Sequence, residues 1–160
     1  MIVTGIDCGK LGCVVHVDTD SGEVLVLPSW AEYVTAKEYQ PALMLGSLVR
    51  WGRPSLVAIE KQHSMPRMGS TSALTTGFGF GLWVGLCTGI GAPYRIVRAV
   101  DWQRGIGVER TKDKAQIKAR VQAQVAALLP SLDMPRARAK REAVADAAGI
   151  ALWARMEARG

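Results

Sequence analysis

The order in which strand-like and helix-like runs follow one another is the tightest constraint on this chain. Ile2 to Cys8 reads as an apolar strand, Gly9-Lys10-Leu11-Gly12 as a turn, and Cys13 to Val17 as its hairpin partner. Asp18-Thr19-Asp20-Ser21-Gly22 is a second turn and Glu23 to Leu27 a third strand. Connections this short lead to an antiparallel meander. Beyond it, helices separate the strands. Thr35 is placed to cap a helix running to about Arg50, Ser55 to Glu60 is a short buried strand, and Lys61 to Gly69 is a polar loop. Ser70 opens a helix, Tyr94 to Val100 is a fifth strand, Lys112 to Leu129 is an amphipathic helix stopped by Pro130, and Ala137 to Ala158 is an Ala-rich helix. A meander first and crossovers later predicts an α/β fold: a five-stranded mixed sheet with helices on both faces. No linker, repeat or low-complexity tract breaks residues 1–160, which read as one domain with enough chain for a sizeable core.

Acidic residues stand where this pattern least expects them. Asp7 ends a very apolar strand whose same face carries Val3, Gly5 and Gly9, and the glycines leave room around its carboxylate. Taken alone, Asp7 is explained equally well as the residue that starts the Gly9–Gly12 turn. Glu60 ends the run Leu56-Val57-Ala58-Ile59, which places a charge where open α/β sheets bind ligands; the plainer reading is a Glu reaching solvent. On the last helix, Asp146 has Glu142, Ala143, Gly149 and Ile150 three and four residues away and Trp153 one turn beyond. Two like charges on an otherwise apolar stripe repel and lose solvation. Arg141 or Lys140 could relieve that, but a divalent cation relieves it more fully and needs only oxygen ligands. Asp7, Glu60, Glu142 and Asp146, with no His or Cys cluster around them, suit Mg²⁺ or Mn²⁺ rather than zinc. Two such ions can activate a water and stabilise a leaving oxygen in phosphodiester hydrolysis.

Charge and cysteines narrow the setting. Twenty Lys and Arg against 14 Asp and Glu give +6, which attracts polyanions without identifying one. Cys8, Cys13 and Cys87 are an odd number in a chain that needs no staples, so free thiols in a reducing, cytoplasmic setting are expected. The spacing of Cys8, Cys13 and His16 matches no usual zinc pattern. No charge occurs between Arg67 and Arg95, and Gly77, Gly81, Gly85 and Gly89 recur every fourth residue. Such a face would pack helices in a membrane. Thr71, Ser72, Thr75 and Thr76 and the Gly89–Pro93 stop leave an apolar run shorter than a span requires, so no membrane association is expected. The glycines then let another backbone approach closely, either the chain's own sheet or a second copy.

Together these segments resemble the RuvC family of Holliday junction resolvases, in order and over nearly the whole chain. The carriers are Ile2 to Gly12 with its hairpin, Ile59-Glu60-Lys61-Gln62 followed by a helix near Ser72-Ala73-Leu74, Gly105-Ile106-Gly107 before Asp113-Lys114-Ala115-Gln116-Ile117, and Arg141 to Ala151. The resemblance implies a ribonuclease H-like fold, metal ligation by Asp7, Glu60, Asp146 and an acid such as Glu142, and Lys114 as a basic residue near the scissile phosphate. It implies a homodimer on a four-way DNA junction, paired through the helix of Gly77, Gly81 and Gly85, with one site on each of two equivalent strands. Basic residues expected on the DNA backbone are Arg67, Arg104, Arg110, Lys112 and Lys114. Two departures stand out. Gln103 and then Arg104 follow Trp102, where the family often has a Lys. The loop His63-Ser64-Met65-Pro66-Arg67-Met68 lacks an aromatic for the junction centre, leaving Met65 and Met68 as candidate apolar wedges or packing contacts.

Other readings remain open on sequence. The same acids would serve a related ribonuclease H-like nuclease acting on other branched DNA or on RNA–DNA hybrid, and a non-catalytic junction-binding module is a further alternative. An actin-like ATPase loop at Gly5-Ile6-Asp7-Cys8-Gly9 would need a second lobe, which 160 residues do not supply.

Overall fold

The computed structural model describes residues 1–62 and 69–159. Strands β1 (Ile2–Asp7), β2 (Cys13–Asp18) and β3 (Val24–Pro28) form the antiparallel meander. The crossovers then deliver β6 (Leu56–Glu60) parallel to β1, and β7 (Tyr94–Val97) parallel to β6. The resulting five-stranded mixed sheet has the order β3-β2-β1-β6-β7.

Strand alternation sorts the side chains onto two faces. Val3, Cys13, Val15, Val17, Ala58 and Val97 face α4 (Ala99–Gly105), α5 (Lys114–Leu128) and α6 (Arg138–Glu157). Ile6, Val14, Leu27, Val57 and Ile59 face α2 (Pro41–Leu48) and α3 (Ser70–Gly89). His16 on this second face is fully buried, bonded to Thr4 Oγ1 at 2.7 Å and to the Ser47 carbonyl at 2.8 Å. All three cysteines are free and buried. Among the described residues, no helix is long and apolar enough to cross a membrane.

Glycine sets how closely α6 can lie on the sheet. A Cβ on Gly5 would come within 2.3 Å of the Ala147 carbonyl and the Ala151 amide, both helix backbone. A Cβ on Gly149 would stand 2.6 Å from the Trp102 ring of α4. The α3 glycines divide by face. Gly79 is buried, and a Cβ there would meet the Tyr39 hydroxyl at 2.5 Å. Gly77, Gly81 and Gly85 have nothing within 4 Å of that position, so they do not pack on their own sheet.

Three sequence expectations are corrected. The single helix from Thr35 to Arg50 is instead a short α1 (Ser29–Glu32), a two-stranded hairpin of β4 (Val34–Thr35) and β5 (Glu38–Tyr39), and then α2. Pro41 is compatible with the first position of a helix but not with its interior, so α2 starts there. The hairpin turn places Ala36 (φ 51°) and Lys37 (φ 63°) in the left-handed region, which is unusual for residues other than Gly, Asn and Asp. The fifth strand ends at Val97 rather than Val100, because α4 begins at Ala99. The helix expected from Lys112 begins at Lys114, where the Asp113 carboxylate accepts the Ala115 and Gln116 amides.

Candidate active site

Asp7 and Glu60 end neighbouring parallel strands, one residue beyond the last register pair, Ile6–Ile59. Each takes the same side as the residue two before it, Gly5 or Ala58, so both carboxylates point to the face covered by α6. Asp146 lies in the long buried stretch of α6, 8% exposed, and meets them from above. Three separate elements thus bring Asp7, Glu60 and Asp146 into mutual electrostatic contact.

Burial is the largest influence on all three acids. It pushes Asp7 up to about 8, helped by the charges of Asp146 and Glu60 and opposed by the Gly9 amide and Lys118. Glu60 is raised by burial and by Asp146, while a hydrogen bond from Trp102 Nε1 to its Oε1, 3.3 Å, pulls the other way. Asp146 is raised by burial and by Glu142, against the pull of Lys118.

Lys118 projects from α5 and donates to Asp146 Oδ2. Burial alone would depress its ammonium, but Asp146, with Asp7 and Glu60 behind it, holds it above the ordinary lysine range. The other oxygen of Asp146, Oδ1, is buried with no hydrogen-bond partner among the described residues. Among those residues, no three acidic, histidine or cysteine side chains converge closely enough to ring one ion as they stand. The donor set still fits a hard divalent cation. All three acids are oxygen donors, and one buried oxygen, Asp146 Oδ1, is unsatisfied among the described residues.

The remaining sequence candidates divide. Glu142 lies one turn before Asp146 and is bound to Arg138 at 2.9 Å, so it stands beside the cluster rather than in it. Lys114 is exposed at the first position of α5, one turn from Lys118, and it is Lys118 that touches the acids. Arg104, Arg110 and Lys112 are exposed on and after α4, and none of them makes an ion pair among the described residues. Arg67, Met65 and Met68 lie outside the described residues. Sequence reasoning missed Lys118 and the Trp102–Glu60 bond. A signal for Lys118 existed: it is spaced with Val121 and Val125 on the buried stripe of α5, where a lysine needs an acidic partner.

No protein-family model and no curated protein matches the chain. Solved structures do. RuvC from Thermus thermophilus in complex with a Holliday junction substrate superposes with a TM-score of 0.69 at 22% identity, covering 99% of this chain and 96% of that one. A second Thermus thermophilus RuvC structure gives 0.67 at 23% identity, with the same coverage. The yeast mitochondrial Holliday junction resolvase gives 0.59 at 18% identity, covering 98% of this chain and 79% of the other. With its meander, its parallel β1–β6–β7 edge and its helix-covered sheet, the chain has the ribonuclease H-like fold that RuvC has.

Proposed function

We propose that this chain is a metal-dependent endonuclease that resolves four-way DNA junctions as a homodimer. The observation that carries the reading is the placing of Asp7 and Glu60, half-buried at two neighbouring strand ends, beneath the buried Asp146 of α6, in a setting that disfavours their negative charge. Such a cluster is unfavourable for stability, and cation binding is the chemistry that repays it. The junction as substrate is supported by the shared fold with two kinds of Holliday junction resolvase, one of them solved with its junction.

In this reading Asp7, Glu60 and Asp146 hold Mg²⁺ or Mn²⁺, with Glu142 as an outer fourth acid. Bound there, the cation would supply an activated water and neutralise charge on the cleaved phosphate. Trp102 fixes the Glu60 carboxylate by its Nε1–H, and the packing of Gly5 against α6 keeps Asp146 over the strand ends. Lys114, Arg104, Arg110 and Lys112 form the basic rim that grips flanking phosphates, a role that Arg67 would share.

The dimer reading draws on α3. Leu74 and Phe78 are 74% and 56% exposed, and Phe78, Leu82 and Leu86 flank an open hollow along Gly77, Gly81 and Gly85. An apolar stripe this exposed needs a partner surface, and a two-fold copy of itself presents one. Gly81→Arg should leave the monomer folded, because nothing lies within 4 Å of that position, and weaken self-association at least about a hundredfold. Sedimentation equilibrium reads this; a dimer of unchanged affinity removes α3 from the interface.

The function is tested by incubating the full chain with Mg²⁺ or Mn²⁺ and labelled four-way junction, duplex, flap and RNA–DNA hybrid. Paired, symmetric nicks in the junction are expected, with little cutting elsewhere. Preferential cutting of the flap or the hybrid would assign a different substrate to the same site. Asp146→Asn should lower junction cleavage at least about a thousandfold while a gel-shift assay shows binding retained. Cleavage that survives this change sinks the carboxylate assignment.

A further inference from the structure

The acid cluster contains a cation of its own. Lys118 reaches from α5 across to α6, and its ammonium bonds Asp146 Oδ2 while feeling the charges of Asp7 and Glu60. Its side chain is 37% exposed, so the long stem can carry the ammonium toward solvent. Asp146 Oδ1, unpartnered among the described residues and buried, faces the same problem of lost solvation that Oδ2 solves with the ammonium. A lysine ammonium and a divalent ion answer the same need of a buried carboxylate, and their mutual repulsion at a few ångströms keeps them from answering it side by side.

We propose that Lys118 is a tethered stand-in for a divalent cation, which an incoming Mg²⁺ or Mn²⁺ must displace from Asp146. The inference rests on the nuclease reading of the same acids. Two consequences follow from the geometry. When divalent ions are scarce, Lys118 keeps Asp7, Glu60 and Asp146 from forcing the β1, β6 and α6 ends apart. When an ion arrives, its intrinsic affinity is reduced by the work of moving the ammonium. The freed lysine then lies one turn from Lys114, on the basic rim.

The test is Mn²⁺ binding by isothermal titration calorimetry on the full-length wild type and on Lys118→Met, which keeps the stem and removes the charge. Lys118→Met is expected to bind Mn²⁺ about tenfold more tightly. Because that variant leaves three acids without a counterion and risks folding poorly, a second measurement uses the wild type alone. Lys118 methylation by formaldehyde and borohydride, mapped by peptide mass spectrometry, should be slow in EDTA and several-fold faster in saturating Mn²⁺. Lys114, exposed throughout, serves as the reference amine. Equal Mn²⁺ affinity in both proteins, or Mn²⁺ binding with no change in Lys118 labelling, overturns the stand-in while leaving the metal site intact. Failure of both proteins to bind Mn²⁺ overturns the inference together with the nuclease reading.

Discussion

Asp7→Asn is expected to abolish cleavage and, in EDTA at pH 8.5, to make the protein more stable than the wild type. Both effects come from one carboxylate. Burial, then Asp146 and Glu60, push Asp7 up to about 8 from an ordinary value of 3.8. The folded state therefore binds a proton that the unfolded chain has already released across that window. With more protons on the folded side, stability falls as pH rises from about 4 to about 8, and the loss is complete above the folded value. Each pKa unit corresponds to about 1.4 kcal/mol, so the gain on neutralising the site is of order a few kcal/mol after relaxation of the surroundings. In a domain of this size that is roughly 5–10 °C in melting temperature. Calorimetry in EDTA at pH 5.5 and pH 8.5 reads both proteins. The wild type should lose stability between the two, and Asp7→Asn should lose much less. A variant that melts below the wild type at pH 8.5 would make Asp7 a structural residue that starts the Gly9 turn. Activity should fall at least about a thousandfold in the same variant. Stability gained where activity is lost is the signature of a site held ready for a cation.

The second large effect is expected at a residue with no chemistry. Gly5→Ala adds one methyl where the Ala147 carbonyl and the Ala151 amide each lie within 2.3 Å. Both are helix backbone on the buried stretch of α6, so neither can turn aside as a flexible side chain would. To admit the methyl, α6 must lift from β1. That separates Val3, Ala147, Ala148 and Ala151, all fully buried, and pulls Asp146 away from Asp7. A loss of roughly 3–5 kcal/mol is expected, a large part of the stability of an ordinary domain. Urea denaturation measures it, with Gly81→Ala as the comparison. At Gly81 the position is open, so alanine should be neutral or should add up to about 1 kcal/mol through helix propensity. If Gly5→Ala unfolds at the same urea concentration as the wild type, the close approach of α6 to β1 does not hold the site together.

Much of this arrangement was legible in the sequence because it follows from short-range rules. Period-two alternation puts Asp7 on the same side as Val3 and Gly5, and Glu60 on the same side as Ala58. Short turns set the meander, and the helix expected to open at Ser70 is present as α3. Asp146 stood out because an acid on an apolar helical stripe conflicts with its surroundings. The β4–β5 hairpin was not legible. Its turn is made by Ala36 and Lys37, which carry no turn signal, and the surrounding pattern read as the start of a helix.

What the sequence determined by itself is the element order and the side of each element on which the acids lie, since both depend on residues close together along the chain. The tertiary structure alone decided which groups meet. It chose Lys118 over Lys114 as the lysine beside Asp146, 28 residues away on the next helix. It brought Trp102 to Glu60 across 42 residues, whereas the Arg138–Glu142 pair, four residues apart on α6, is a local helix contact. The approach of α6 to β1 and of α4 to α6, which holds Asp146 and Trp102 over the strand ends, is set by Gly5 and Gly149, where side chains are missing rather than present. A one-turn difference on a helix leaves local periodicity almost unchanged, yet it separates a solvated lysine from a half-buried one bonded to Asp146 and feeling Asp7 and Glu60.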